Sequence, residues 1–546
     1  MGRAVRRWGA LAIALAAGCG RGPFDVLDPD PCRDEKGLCI SSSALQRAVD
    51  ILFVIDNSGS MGDEQGLLAR NFPAFVDVLE DQPFGASYRI GITTTDAYGV
   101  LRVASCRERL DEFLYSDHSD PTNPIDIDEQ YDGCLSSCGY DVVTTVPTTT
   151  PADSLAVPRP WIEKEGERTN LADGLDIGEA LGCAGPQGLH GSGFEAPLEA
   201  MRSVFADISG GATGFLRDEA LLAVVFVTDE TDCSMPYEHQ SMVTDAEIGG
   251  ALWSDPNDPL GPTSAVCWNA GTQCEGGPGI YDDCRAVDKD FDGELTAPED
   301  AVLFPVSEYV EVLRDVAQGK AARGGTGQVL VAVIGGVPLD YPQTGAMLFQ
   351  DSDDPAFNLE YGIGPGCGRG TELLYAPPGI PPVRLREFAE QFSTEGRNLY
   401  SICSPDYTPA LEQMVDALET LSVRTCVPGC VADGDTDEDG LQAACRVVER
   451  DSSGEELGAV ARCIALGDDW TFPSTSPELC YRALTDKSGA TARTYDDMSA
   501  QCITQGGNLE IVIERPEGVA DTPGRVGQVE CPLDRPLGEV CDAESP

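Results

Sequence analysis

Short apolar runs closed by polar or glycine-bearing sequence recur along the chain. They alternate with stretches whose apolar positions fall three or four residues apart. Ile51 to Ile55, Tyr88 to Thr95, Leu221 to Val227, Val329 to Ile334 and Leu399 to Cys403 are of the first kind. Runs of this length, rich in β-branched residues, predict strands buried on both faces, as in a parallel sheet. Leu68, Phe72, Phe75, Val76 and Leu79 predict a helix over 67–79, which Pro73 should kink. Further helices are predicted over Phe194 to Phe205, around Tyr309, Val312, Leu313 and Val316, over Leu385 to Phe392 and over Leu411 to Leu421. Val100 to Ala104 is suited to pair with the second strand as a hairpin edge. Strands alternating with helices predict an α/β fold, a doubly wound, mostly parallel sheet covered on both faces over residues 48–423.

Three stretches interrupt that pattern, at about 106–190, 230–304 and 336–380. The first has no periodicity and a Thr/Pro tract, TTVPTTTPAD, and reads as functional or stapled decoration. The insertions after Asp229 and after Ile334 leave the carboxyl ends of parallel strands, so both are expected to rim whatever binds there. From residue 424 to 546 the apolar pattern changes to alternation, as in NLEIVIER (508–515), which predicts a small β-rich domain.

Cysteine usage sharpens this division. Of 21 cysteines, twelve lie between Cys19 and residue 424 and eight beyond it. Even counts fit two separately stapled units and an oxidising compartment. The close pairs Cys134/Cys138 and Cys426/Cys430 lack the C-x₂-C form, and only three His exist, so disulfides are favoured over zinc. Residues 1–19 read as a targeting segment. Arg3, Arg6 and Arg7 precede an apolar stretch from Trp8 to Ala17 that is too short to span a bilayer. Leu15-Ala-Ala-Gly-Cys19 resembles the bacterial lipobox, with Cys19 the lipidated residue; an ordinary signal peptide cut nearby is the alternative. Residues 20–47 read as a tether. The expected location is a lipid-anchored position in the bacterial cell envelope, outer membrane or cell surface. A net charge of −56 argues against nucleic acid or an anionic lipid surface as partner.

Candidate chemistry gathers where the first strand ends. VDILFVIDNSGSMG places Asp56, Ser58 and Ser60 in a strand-to-helix turn, the place where open α/β sheets bind ligands. One carboxylate and two hydroxyls suit a hard cation that keeps open positions; an Asx/Ser-rich turn capping a helix is the plainer reading. Thr93, Thr94, Thr95 and Asp96 end the next strand, where Thr is ordinary strand composition. The stretch VDILFVIDNSGSMG resembles the first metal loop of a von Willebrand factor type A domain, whose adhesion site is completed by a Thr from a second loop and an Asp from a third. Thr228-Asp229, closing the Leu221–Val227 run, is similar to the third loop. Ser192, in GSGFEAPLEAM, stands where the family has Thr and so departs from its pattern. The resemblance implies that Asp56, Ser58, Ser60, Ser192 and Asp229 hold Mg²⁺ or Mn²⁺, and that a protein ligand presenting an acidic side chain completes the coordination.

A second motif lies inside the 230–304 insertion. DKDFDGELTAPE (288–299) resembles an EF-hand loop, with Asp288, Asp290, Asp292, Glu294 and Glu299 at ligand positions and Gly293 at the sharp turn. The preceding segment makes a poor entering helix, so the loop is expected to bind Ca²⁺ for structural purposes, a solvated acidic turn being the alternative. Asp435, Asp437 and Asp439 repeat the opening half only, and Arg446 occupies the closing position. The leading function is metal-bridged binding or adhesion at the cell envelope. The alternatives are a calcium-stiffened scaffold and, less favoured, a secreted hydrolase. No HExxH, GxSxG or P-loop is present, and His118, His190 and His239 have no nucleophile nearby in sequence. The chain is therefore not expected to be an enzyme.

Overall fold

The computed structural model describes residues 40–45, 48–81, 87–113, 133–207, 211–256, 261–323, 325–368, 378–393, 398–427, 429–434, 441–450, 455–467, 469–487, 495–499, 502–503, 506–516, 526–534 and 541. The targeting segment with Cys19, most of the tether, His118, and Asp435, Asp437 and Asp439 lie outside the described residues.

Seven strands form the central sheet, in the order Leu399–Ser401, Val329–Gly335, Leu221–Val227, Val49–Ile55, Ser87–Thr94, Trp161–Glu165 and Arg168–Thr169. The first five are parallel, Trp161–Glu165 pairs antiparallel with Ser87–Thr94, and Arg168–Thr169 pairs antiparallel with Trp161–Glu165 in turn. From Val49–Ile55 the chain steps outward to Ser87–Thr94, then returns across it to Leu221–Val227. The strand order therefore reverses between Val49–Ile55 and Leu221–Val227, which makes the crevice beyond their carboxyl ends the natural ligand site. These two strands run level, with Val49 opposite Leu221 and Ile55 opposite Val227.

Alternation along Val49–Ile55 feeds two cores. Ile51, Phe53 and Ile55 pack with residues of the helices Gly62–Asp81, Ile177–Ala184 and Thr408–Ser422. Leu52 and Val54 pack with residues of Pro197–Phe205, Val306–Ala322 and Val383–Glu390. Phe53 meets Phe72 and Phe75 edge-on at 5.2 and 5.8 Å. Pro73 lies within one continuous helix from Gly62 to Asp81. Proline cannot donate to the carbonyl of Ala69, and helix Ile177–Ala184 closes on that turn through two glycines. A Cβ at Gly178 would stand 2.8 Å from Pro73 Cα, and one at Gly182 would stand 3.0 Å from the Ala69 carbonyl oxygen.

Two expectations are corrected by the sheet. Residues 100–104 form no strand, and Val100 is exposed. The edge of Ser87–Thr94 is instead covered by Trp161–Glu165, from inside the 106–190 insertion. Burial explains the choice: Trp161 is fully buried against Phe215, with the guanidinium carbons of Arg89 and Arg159 at 5.6 and 5.7 Å from its ring. Nine disulfides join the described cysteines, including Cys106–Cys134 and Cys138–Cys183 within that insertion. Beyond residue 424 the pairs Cys426–Cys502, Cys430–Cys541, Cys445–Cys531 and Cys463–Cys480 staple a β-rich region of two four-stranded sheets. The strand Ile40–Leu45, from the expected tether, completes one of these sheets by pairing antiparallel with Val526–Pro532. Among the described residues no helix is long and apolar enough to cross a membrane.

Candidate metal site

Because the two central strands end level, their following loops leave side by side. Asp56 N–H donates to the Val227 carbonyl at 2.9 Å. The Thr228 hydroxyl donates to Asp56 Oδ2 at 2.5 Å, and Ser58 N–H donates to Asp56 Oδ1 at 2.8 Å. Each carboxylate oxygen keeps a lone pair free after one such bond. Ser58 Oγ lies 3.1 Å from Ser60 Oγ, and the Ser60 hydroxyl donates to Asp229 Oδ1 at 3.2 Å. Adjacent oxygens of an octahedral Mg²⁺ shell stand about 3 Å apart, given bonds of about 2.1 Å. The donor set therefore fits the ion that the sequence suggests.

Ser192 is placed differently. It is exposed, its N–H donates to Asp96 Oδ1 at 3.2 Å, and its hydroxyl accepts from Phe194 N–H at 3.1 Å. Among the described contacts, no hydrogen bond joins Ser192 to Asp56, Ser58, Ser60 or Asp229. Its loop nevertheless abuts the first one, since Gly191 N–H donates to the Asn57 carbonyl at 2.7 Å. A Cβ at Gly191 would stand 2.5 Å from Asn57 Oδ1, so that contact requires glycine. Asp96, set aside in sequence as part of a strand end, braces three segments by accepting from Asn57 Nδ2, the Thr94 hydroxyl and Ser192 N–H.

Two further acids were not evident in the sequence. Glu195 and Glu230 are 1% and 8% exposed, beside Asp56 and Asp229 at 0% and 2%. Burial pushes the Asp56 carboxyl up, against the Thr228 and Ser58 hydrogen bonds, and the Asp96 charge adds to the rise. Burial, then the charges of Asp56, Glu230 and Glu64, hold Asp229 well above the usual carboxylate range. Burial, followed by the charges of Glu230 and Asp56, does the same to Glu195. Glu230 is pushed up to about 7, by burial first and then by Asp56. Among the described residues no ion pair joins any of these four to Lys or Arg. The nearby buried cation Arg384 is committed to Asp232 at 2.9 Å.

The 288–299 loop has the expected backbone. Gly293 adopts φ +78°, and Asp290 Oδ1 accepts from Asp292 N–H and Glu294 N–H at 3.0 and 3.1 Å. Glu299 is exposed in the turn Pro298–Asp300. Its acidic side chains are not drawn into one cluster. Among the described residues, the three acids with oxygens mutually within 4.8 Å are Asp486, Asp496 and Asp497, in the C-terminal region, which no motif marked. His239 is a packing residue, with Nδ1 2.8 Å from the Val302 carbonyl and its ring against Phe291, while His190 is exposed.

No family model and no curated protein matches the chain. Among solved structures it is similar to the pilus adhesin SpaC from Lactobacillus rhamnosus GG, at 10% identity and a TM-score of 0.26, over 89% of this chain and 38% of that one. It is likewise similar to the pilus adhesin RrgA from Streptococcus pneumoniae, at 10% identity and a TM-score of 0.26, over 90% of this chain and 58% of that one. The chain thus spans less than two thirds of either protein, and similarity at this level carries no argument about function.

Proposed function

We propose that the chain is a cell-envelope binding protein that recognises a protein ligand through a divalent cation held by Asp56, Ser58, Ser60 and Asp229. The observation that carries this reading is the meeting of Asp229 with Ser60 at 3.2 Å across 169 residues of sequence. It is the meeting that the resemblance to a von Willebrand factor type A domain anticipates. Mg²⁺ or Mn²⁺, when bound, supplies an electrophilic position open to an acidic side chain of the partner. The protein's own groups fix its ligands: Thr228 and the Ser58 amide hold Asp56, and Asp96 ties the Ser192 loop to Asn57. Ca²⁺ at Asp288, Asp290, Asp292, Glu294 and Glu299 would stiffen the insertion, and lipidation at Cys19 would fix the protein to the membrane.

The test is capture of partners from envelope extracts in Mg²⁺, in EDTA, and with Asp56→Ala. Capture should require Mg²⁺ and be lost in the variant. Capture indifferent to both treatments would leave the scaffold reading instead.

A further inference from the structure

We infer that Glu195 and Glu230 form a second binding position for a hard divalent cation beside the first. The two glutamates come from different loops. Glu195 precedes the helix Pro197–Phe205, and Glu230 follows Asp229 at the end of Leu221–Val227. The Cys233 N–H donates to the Glu195 carbonyl at 2.6 Å, and Ala196 N–H donates to the Thr95 carbonyl at 2.8 Å, so backbone bonds hold Glu195 against both neighbouring loops. The two carboxyl groups lie close enough for the charge of Glu230 to act on Glu195, and the Ser264 hydroxyl is turned to the Gly193 carbonyl, to which it donates at 3.2 Å. Glu195 Oε1 and Glu230 Oε2 are buried with no hydrogen-bond partner. A buried carboxylate oxygen without a donor is costly unless a cation or hydrogen bond meets it.

Charge accounting points the same way. Asp56, Asp229, Glu195 and Glu230 are four buried acids, and the charges that act most strongly on them are other carboxylates. One divalent ion offsets two of these charges, and a second offsets the rest. Oxygen donors of this kind suit Mg²⁺ or Ca²⁺. The inference extends the reading of the first site, but a different pair of residues carries it.

Bound Mg²⁺ and Ca²⁺ per chain, measured on the purified full-length protein after equilibrium dialysis, separates the two. The isosteric double variant Glu195→Gln/Glu230→Gln should bind one ion fewer than the unaltered protein, and Asp56→Ala should lose the first ion. Which metal is lost from the double variant identifies the occupant. Melting gives a second readout: in EDTA the double variant should melt above the unaltered protein, and added divalent cation should raise its melting temperature less. An unchanged ion count and an unchanged cation-induced melting shift in the double variant overturn the second position. If Asp56→Ala alone fails to lose an ion, the first reading falls and the second is judged on the double variant.

Discussion

At the scale of single residues, the candidate site depends on short-range geometry that small changes disturb. Gly191→Ala would drive a Cβ into Asn57 and shift the loop carrying Ser192. Titration calorimetry should show Mg²⁺ binding weakened several-fold, with a melting temperature close to that of the unaltered protein. Far from the site, Lys320 is buried and donates to the Ala220 carbonyl at 2.5 Å. Burial, with the Arg217 charge assisting and Asp50 opposing, pushes it down to about 8 from the ordinary 10.5. Between those values the unfolded chain binds more protons than the folded one, so the group contributes stability that rises with pH. The gain is on the order of 3 kcal/mol. Urea midpoints at pH 7.5 and 9.5 should reveal this rise in the unaltered protein relative to Lys320→Met; equal pH dependence in the two would contradict it. The positions of Asp56, Ser58, Ser60 and Asp229 in loops that follow two buried strands were legible, from the apolar runs and from the resemblance to a von Willebrand factor type A domain. Glu195 and Glu230 were not, because an acid in a loop of an acid-rich chain has no periodicity to mark it.

At the scale of elements, the five parallel strands were readable from their apolar runs, and the helices on both faces from their spacing, apart from Ile177–Ala184, which lies inside the stretch without periodicity. The antiparallel edge was not. Trp161–Glu165 reads WIEKE, only two apolar residues followed by charge, and its burial comes from partners distant in sequence. The insertion around it thus contributes two strands to the sheet edge. Replacing 106–190 with a short linker should bare the Ser87–Thr94 edge and yield aggregated protein, as light scattering would report. Within the same insertion, Cys138–Cys183 closes a loop of 45 residues. Loop-closure entropy assigns such a crosslink about 4 kcal/mol, so Cys138→Ser/Cys183→Ser should lower the urea midpoint clearly while leaving the central sheet folded by circular dichroism.

At the scale of the whole molecule, acid dominates. A net charge of −56 repels itself, and Debye screening shortens the reach of that repulsion. In EDTA the melting temperature should rise as NaCl is increased from low ionic strength, and divalent cations should raise it at far lower concentrations. Equal effects of the two salts at matched ionic strength would argue against specific cation positions. The β-rich character beyond residue 424 was legible from alternation and cysteine parity. The participation of Ile40–Leu45 was not, since ISSSAL carries no strong strand pattern and its partner lies almost 500 residues away in the chain.

That pairing has a mechanical consequence. Ile40–Leu45 lies between the N-terminus and the strand leading to Asp56, and it is clasped lengthwise to Val526–Pro532. Tension between an N-terminal anchor and a captured partner would meet this ladder first and load it in shear, with its hydrogen bonds resisting together. Val526–Pro532 would serve as a clamp, shielding the loops after Ile55 and Val227 from the pull.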